Sequence, residues 1–553
     1  MKPRRKPHVH LLVVTMGLSL CLLSCSSGTG KKGGLATFFE DDPVSIEDFK
    51  TAMAPVTAQI DPSDSLFRKQ LLRDVDLNVK YAYRLSGNEP IWFESKGIKS
   101  STAGLVQALA ALSREGLDTT RYHLADIRRI LAEAGRDQKG ALPVDSVVRW
   151  DKALTAAYLT AARDLLMGKE DIRKADDQWF AANDTAFNGA RYLVEASKNK
   201  QQLPALDTFR PLLKSYNQMI AAMEQWQQLK QDSLYLRLKA GVRLGVQDSS
   251  LQAVIGKELP GIMMATGDSG ATANAIATYQ YYHQLRITGK NDSATYKKLR
   301  TDPDAYVQSL QMNMDRLRAL PREIGAEHVW VTIPLMEVDY YRDNDLKWHS
   351  RVVVGKKARQ TPTLWAPMAN VVFNPPWGVP PTILKNDVGP GVSRAGAGYL
   401  ARKGLRAFDA KGRDVTEMVN GENYKRFSYR QPPGAHNSLG EIKFNLPNKW
   451  DIYLHDTPHR GDFGLRSRAL SSGCVRVQNP KDFAEVLLSD RGYGRGRIDS
   501  VIETRKTKLE PIKRPLPVYI VYLTVAPDST GTGLRYLDDV YGRDIAMRPV
   551  YGF

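Results

Sequence analysis

The sequence predicts a multidomain α+β protein: a mainly helical N-terminal half, a small helical segment, and a C-terminal β-rich domain carrying a long insertion. Three observations carry that prediction. At 553 residues the chain exceeds what one core supports, so two to four domains are expected. Apolar residues recur at helical spacing up to about residue 250, as in Leu105, Leu109 and Leu112, or Leu154, Tyr158 and Leu165. From Val329 the period changes to two, and β-branched and aromatic residues concentrate.

Composition excludes several classes. Hydrophobic residues at 42% and charged residues at 25% are ordinary for a folded chain, which rules out wholesale disorder. A mean hydropathy of −0.38, with no long apolar run outside the N-terminus, rules out a polytopic membrane protein. Three cysteines cannot build a disulfide-stapled or zinc-ribbon fold. The net charge of +18 suits an anionic polymer or membrane face without choosing between them.

The elements follow in chain order. Lys2, Arg4, Arg5 and Lys6 precede a 13-residue, mostly apolar stretch, Leu11 to Leu23, too short to span a bilayer. It ends in Leu22-Leu23-Ser24-Cys25 and resembles a bacterial lipoprotein signal (residues 1–24), whose cysteine becomes the acylated N-terminus. Cleavage would remove four basic and no acidic residues, leaving about +14, and export removes cytosolic nucleic acid from the expected partners. Residues 25–39 read as a Ser/Gly tether. A helical domain is expected over 40–254, a basic helical segment over 255–302, and a linking helix over 303–327. The β-rich domain is expected over 328–507, with an insertion at about 378–430, and a C-terminal strand and tail over 508–553. Candidate strands are 328–339, 347–354, 369–373, 441–446, 451–455 and 517–525.

The chemistry lies in the β-rich part. In Asp451-Ile452-Tyr453-Leu454-His455-Asp456-Thr457-Pro458, strand alternation puts Tyr453 and His455 on one face. Nineteen positions after His455 comes Cys474, within Ser471-Ser472-Gly473-Cys474-Val475-Arg476-Val477. With Cys21 in the apolar stretch and Cys25 at the expected cleavage point, Cys474 is the only thiol left in the exported body. It is therefore either a buried bystander or a reactive nucleophile. Gly473 permits a tight turn, and the backbone N–H groups of Ser472, Gly473 and Cys474 are candidates to hold an oxyanion. Arg476 should share a strand face with Cys474 and offers a fork for a substrate carboxylate. His455 and Arg476 together are expected to favour the thiolate, lowering the thiol below its ordinary value of about 8.5. A histidine at a strand end and a cysteine after a glycine turn are the parts of an activated thiol nucleophile. No cluster has metal-ligand spacing and there is no phosphate-binding loop, so neither metal nor cofactor is expected.

These residues resemble the L,D-transpeptidase (YkuD-type) catalytic domain. Its signature sets a histidine about 14–17 residues before Ser/Thr-His-Gly-Cys, an apolar residue and Arg or Asn. Here residues 456–470 separate His455 from Ser471, a spacer of 15, whereas His459 would leave only 11. Upstream, Gly434-Ala435-His436-Asn437-Ser438-Leu439-Gly440 resembles the family's turn before that strand. Val353-Val354-Gly355-Lys356, Asn374-Pro375-Pro376-Trp377 and Asp538-Asp539-Val540-Tyr541-Gly542-Arg543-Asp544 extend the resemblance to the large, scaffold-containing branch. Ser472 stands where most of the family has a second histidine, so His455 must act as the only imidazole base. Asp456 is not expected to be a triad acid, since its side chain should face away from the His455 ring.

The resemblance implies a fold, a reaction and a location. Residues 40–254 would be the scaffold, 255–302 a degenerate peptidoglycan-binding-like helical domain, and 378–430 a cap over the site. Cys474 would attack the carbonyl between the third and fourth residues of a peptidoglycan tetrapeptide stem, releasing D-alanine. His455 would act as general base and acid. The acyl group would pass to diaminopimelate on a second stem, forming a 3→3 cross-link, or to a D-amino acid or protein lysine. Arg476 would anchor a carboxylate and Tyr453 would shape the pocket; their alternative roles are a local salt bridge and packing. Carbapenems would acylate Cys474. The expected location is the periplasm, tethered by lipid at Cys25 to the outer membrane of a Gram-negative bacterium. The rival functions are a cysteine peptidase acting on stem peptides and a peptidoglycan-binding lipoprotein without activity.

Overall fold

The structure, a computed structural model, describes residues 43–63, 67–71, 74–136, 141–169, 188–198, 206–241, 249–259, 262 and 271–553. All of these lie in one compact unit, Asp42–Phe553. The expected signal, tether and lipidation residue Cys25 lie outside the described residues. No helix among those described is long and apolar enough to cross a membrane.

The N-terminal half is helical, and the apolar stripes read from the sequence face inward. Leu105, Leu109, Leu112, Leu154, Tyr158 and Leu165 are all buried. The longest helix, Val144–Met167, runs through the middle of this core. The buried carboxylate of Asp151 on that helix accepts from Tyr83 Oη at 2.6 Å and from the N–H groups of Ile91 and Trp92 at 3.0 and 2.8 Å. A buried charge is tolerated only when such donors replace its water.

The helical stretch does not form one core out to residue 254. Its first core ends at Phe209. Tyr216, Met223 and Trp226, on the helix Lys214–Leu229, pack instead with Tyr279, Tyr306, Leu310 and the late residues Tyr519 and Tyr536. The expected boundary at 254/255 also falls inside the helix Ser249–Glu258. Periodicity reports which face of a helix is buried and not what it is buried against. The linking helix spans Pro303–Arg318 and is clamped from several sides. Arg318 donates to Glu115 O at 2.7 Å and to Tyr216 Oη at 2.6 Å, while Arg316 pairs with Asp544 at 2.6 Å.

The C-terminal part is built on one mixed nine-stranded sheet. We number its strands β1 (His328–Thr332), β2 (Glu337–Arg342), β3 (Asp345–Gly355), β4 (Leu364–Phe373), β5 (Ile442–Asn445), β6 (Leu454–His455), β7 (Ala469–Ser471), β8 (Val475–Val477) and β9 (Lys508–Val521). Their order is β7-β3-β8-β6-β5-β4-β9-β1-β2, and pairing of β2 with β3 closes it on itself. Two expectations change here. Residues 328–339 are not one strand, because the chain turns at Ile333–Met336, where Met336 has φ +58°. Residues 451–455 contribute only Leu454 and His455 to the ladder, because Asn448 winds the preceding segment into a turn and Asp451 sits at φ +52°.

The insertion has a core of its own. Strands Trp377–Gly378, Arg406–Phe408 and Ser428–Gln431 form a three-stranded sheet beside the helix Gly389–Arg402. Val388, Val392, Leu400, Ala407 and Tyr429 fill the space between them. After β9 the chain forms a hairpin, Val525–Pro527 with Leu534–Tyr536, and the helix Arg543–Tyr551. That helix lies against the linking helix, where the Tyr551 hydroxyl donates to Asp315, and the Val550 carbonyl accepts from Lys169 at 3.3 Å.

Candidate active site

Three neighbouring strands bring the site together. β6 runs parallel to β8 with Leu454 opposite Val475 and His455 opposite Arg476; β5 lies antiparallel on the other side with Lys443 opposite His455. Paired residues share a sheet face, so Lys443, His455 and Arg476 form one row and Tyr453 and Cys474 the next. The alternate residues Leu454 and Val475 point into the core, which fixes this register.

His455 is buried and held by backbone. Its Nδ1 lies 2.5 Å from the Asp456 carbonyl. A carbonyl cannot donate, so Nδ1 carries the hydrogen and Nε2 is left with a free lone pair. Burial lowers its pKa to about 3, and the nearby charges of Arg476 and Lys443 push in the same direction. The imidazole is neutral, the state required of a base.

The Asp456 carboxylate faces away from the ring, as expected. It accepts from Glu441 N at 2.8 Å and Thr457 N at 2.7 Å and pairs with Arg460 at 2.6 Å. It thereby pins the turn that aims the Asp456 carbonyl. Gly440, at φ +62°, passes so close that a Cβ would collide with this carboxylate. Gly440→Ala should displace Asp456 and with it His455, slowing acylation of Cys474 by up to about 10²-fold. Burst-phase mass spectrometry measures this; an unchanged acylation rate in a folded variant would show that Asp456 does not position the ring.

Cys474 follows Gly473, whose φ of +123° strongly disfavours any other residue. Gly473 O accepts from Thr361 Oγ1 at 2.7 Å, and Cys474 O accepts from Ser471 Oγ at 2.6 Å. These bonds clamp the loop from both sides. The thiol donates to the Asp451 carbonyl, 3.7 Å away, and is not hydrogen-bonded to His455. The Tyr453 ring lies edge-on to the imidazole at 5.6 Å, and Tyr453 also acts on the sulfur, favouring its ionised form. Contrary to the sequence expectation, burial raises the thiol pKa, although Tyr453 and Lys443 oppose the shift. A desolvated thiol beside a neutral imidazole is not a preformed ion pair.

The remaining expected residues divide. The Gly473 N–H already donates to Ser471 Oγ at 3.1 Å, which leaves the N–H groups of Ser472 and Cys474 as donors for an oxyanion. Arg476 lies on the expected face, but its guanidinium pairs with Asp462 at 3.0 Å. His459 is exposed at the start of the turn Arg460–Gly464. Gln280, in the segment resembling a wall-binding module, is buried and bonds Thr288, Lys290 and Thr295, all within that segment. No group of His, Cys or carboxylate among the described residues is placed to hold a metal ion.

Sequence reasoning missed four contributors. Lys443 lies with Nζ 4.1 Å from the centre of the Tyr453 ring. The Trp377 indole, at the root of the insertion, acts on the Tyr453 hydroxyl and opposes the rise in its pKa. Arg359 holds Asp387 of the insertion at 2.6 and 2.9 Å and also donates to Ser472 Oγ at 2.9 Å. Asp451 supplies the carbonyl that receives the thiol. For Lys443, a period-two count through β5 and its pairing with β6 was the available signal.

Fold and site together define a β-sheet domain that sets a cysteine after a glycine turn beside a neutral histidine fixed by backbone. Residues 326–513 match the family model for the L,D-transpeptidase catalytic domain, and residues 78–223 match the scaffold domain. The chain thus carries an L,D-transpeptidase catalytic domain behind a scaffold domain. A protein of Haemophilus influenzae named "Putative L,D-transpeptidase" is 38% identical over 240 residues, covering 43% of this chain and 48% of that protein. The chain therefore spans about half the length of the curated relative it matches. A solved structure described as the "Ldtfm-avibactam carbamoyl enzyme" covers 36% of this chain and 49% of its own at 10% identity. Its TM-score of 0.19 makes the likeness too remote to inform the site.

Proposed function

We propose that the protein is an L,D-transpeptidase that joins peptidoglycan stems through a Cys474 thioester. The observation that carries this reading is the neutral, backbone-held His455 beside a cysteine clamped on a glycine turn, within a domain matching that family. His455 Nε2 takes the thiol proton as Cys474 attacks the carbonyl between the third and fourth residues of a tetrapeptide stem. The N–H groups of Ser472 and Cys474 receive the oxyanion. Collapse breaks the C–N bond, His455 returns its proton to the departing amine, and D-alanine leaves. In the second half, an acceptor amine attacks the thioester, His455 takes its proton, and the thiol is regenerated. With diaminopimelate as acceptor the product is a 3→3 cross-link.

The insertion supports transfer over hydrolysis. Arg359 joins Asp387 of the insertion to Ser472, next to the glycine turn. A cap anchored there keeps water from a waiting thioester. Mass spectrometry of muropeptides after incubation with tetrapeptide-rich peptidoglycan tests the reading. Dimers lacking one D-alanine support it; release of D-alanine with only hydrolysed tripeptide would make the protein a peptidase.

We also propose periplasmic export with lipid at Cys25, motivated by the apolar stretch and the Leu22-Leu23-Ser24-Cys25 sequence. Acyl chains on one cysteine anchor strongly, and the Ser/Gly stretch gives reach toward the wall. Fatty-acid labelling should disappear in Cys25→Ser and the protein should become soluble. Labelling that persists in the variant would refute the anchor.

A further inference from the structure

Several cationic side chains lie near the thiol, and they differ in what already holds them. Arg476 pairs with Asp462 at 3.0 Å. Arg359 is engaged by both carboxylate oxygens of Asp387 and by Ser472 Oγ. Lys443 forms no ion pair among the described residues. Its Nζ rests 4.1 Å from the centre of the ring of Tyr453, the residue that also acts on the Cys474 sulfur. The lysine is half-buried, opposite His455 in the ladder, and the charges that act on it are those of Cys474 and Asp451. A partly desolvated ammonium held only by an aromatic face lacks an anionic partner.

We propose that Lys443, rather than Arg476, is the carboxylate-binding residue of this site, taking the free carboxylate of the residue that follows the scissile carbonyl. This rests on the transpeptidase reading and deepens it. The carboxylate of a C-terminal residue lies only a few bonds beyond the bond being broken, and Lys443 stands one residue row from Cys474. A charge-assisted hydrogen bond there selects stems that end one residue after the scissile bond. A stem longer by one residue places its carboxylate out of reach and leaves the ammonium facing a neutral amide. Lysine suits the task, as a compact point charge on a flexible stem that can leave the Tyr453 face for the ligand.

The test has an arm that needs no cell-wall substrate. Rates of alkylation at Cys474 by iodoacetate and by iodoacetamide are measured on the full chain, by mass spectrometry of the peptide that carries Cys474. The ratio of the two rates reads local positive charge independently of thiol ionisation. Lys443→Met should lower that ratio about fivefold, while Arg476→Met should change it less than about twofold because Asp462 already neutralises it. A ratio unchanged in both Lys443→Met and Lys443→Gln overturns the proposal. In the second arm, wild type should release D-alanine faster from a tetrapeptide acid than from its C-terminal carboxamide. Lys443→Met should erase that preference through a higher KM for the acid alone, and Lys443→Arg should restore part of it. Equal losses on both donors would reduce Lys443 to a structural role and refute the assignment. A wild type that turns over neither donor refutes the transpeptidase reading, and the alkylation ratio then decides on Lys443 by itself.

Discussion

Cys474→Ala should abolish both D-alanine release and acylation by substrate or inhibitor, leaving no residual turnover above background. On the proposed function the whole reaction passes through this sulfur, and no other cysteine follows Cys25 in the sequence. The two neighbouring hydroxyls are already engaged, since Ser471 Oγ is committed to Cys474 O and Gly473 N, and Ser472 Oγ accepts from Arg359. The family resemblance further implies that carbapenems acylate Cys474. Intact mass should therefore show a one-to-one adduct on wild type and none on Cys474→Ala. The substitution removes one sulfur from a partly buried position at the edge of the core and should leave the fold intact, which circular dichroism checks. Adduct formation or D-alanine release persisting in Cys474→Ala would defeat the transpeptidase proposal.

His455→Ala should slow acylation by about 10²–10⁴-fold, the usual contribution of general-base assistance. His459→Ala should stay within about threefold, because that side chain is exposed on the following turn. The pH dependence makes the assignment sharper. Burial lowers the His455 pKa to about 3, with Arg476 and Lys443 adding to the shift. The imidazole therefore remains a proton acceptor far below the ordinary histidine range. Single-turnover acylation should show no inflection near 6.5 and should fall only as pH approaches about 3. The linkage has the matching sign: between about 6.5 and about 3 the unfolded imidazole binds a proton that the folded one refuses, so stability falls as pH falls. An acid limb centred near 6.5 that is lost in His455→Ala would show the ring to be solvated and ionisable.

Much of the site was legible because it is local in sequence. Alternation in Tyr453-Leu454-His455 and in Cys474-Val475-Arg476 specifies which side chains share a face, and the structure places them so. The spacings of 15 and 11 residues can be counted on the chain, but it is the family resemblance that makes the first select His455 over His459. What escaped were effects that depend on depth and on partners. Arg476 looked like a free fork until Asp462, on a turn fourteen residues earlier, was found beside it. The thiol looked destined to ionise readily, yet burial raises its pKa. The helical stretch looked like a single domain, yet its last helices join the core made with Tyr519 and Tyr536.

The sequence by itself determined the classes of element, the face on which each candidate residue stands, and that one thiol remains after Cys25. These are consequences of periodicity and counting, which need no knowledge of neighbours. Tertiary structure decided the protonation states, the division of the helices between two cores, and which cation near the thiol is left without a counter-ion. Each of these is set by contacts between segments far apart in the chain: Lys443 on β5, Arg359 and Asp387 at the insertion, Asp462 on a turn. Solvation and Coulomb energies depend on distance in space and on the exclusion of water. Neither quantity exists until the strands close around the site.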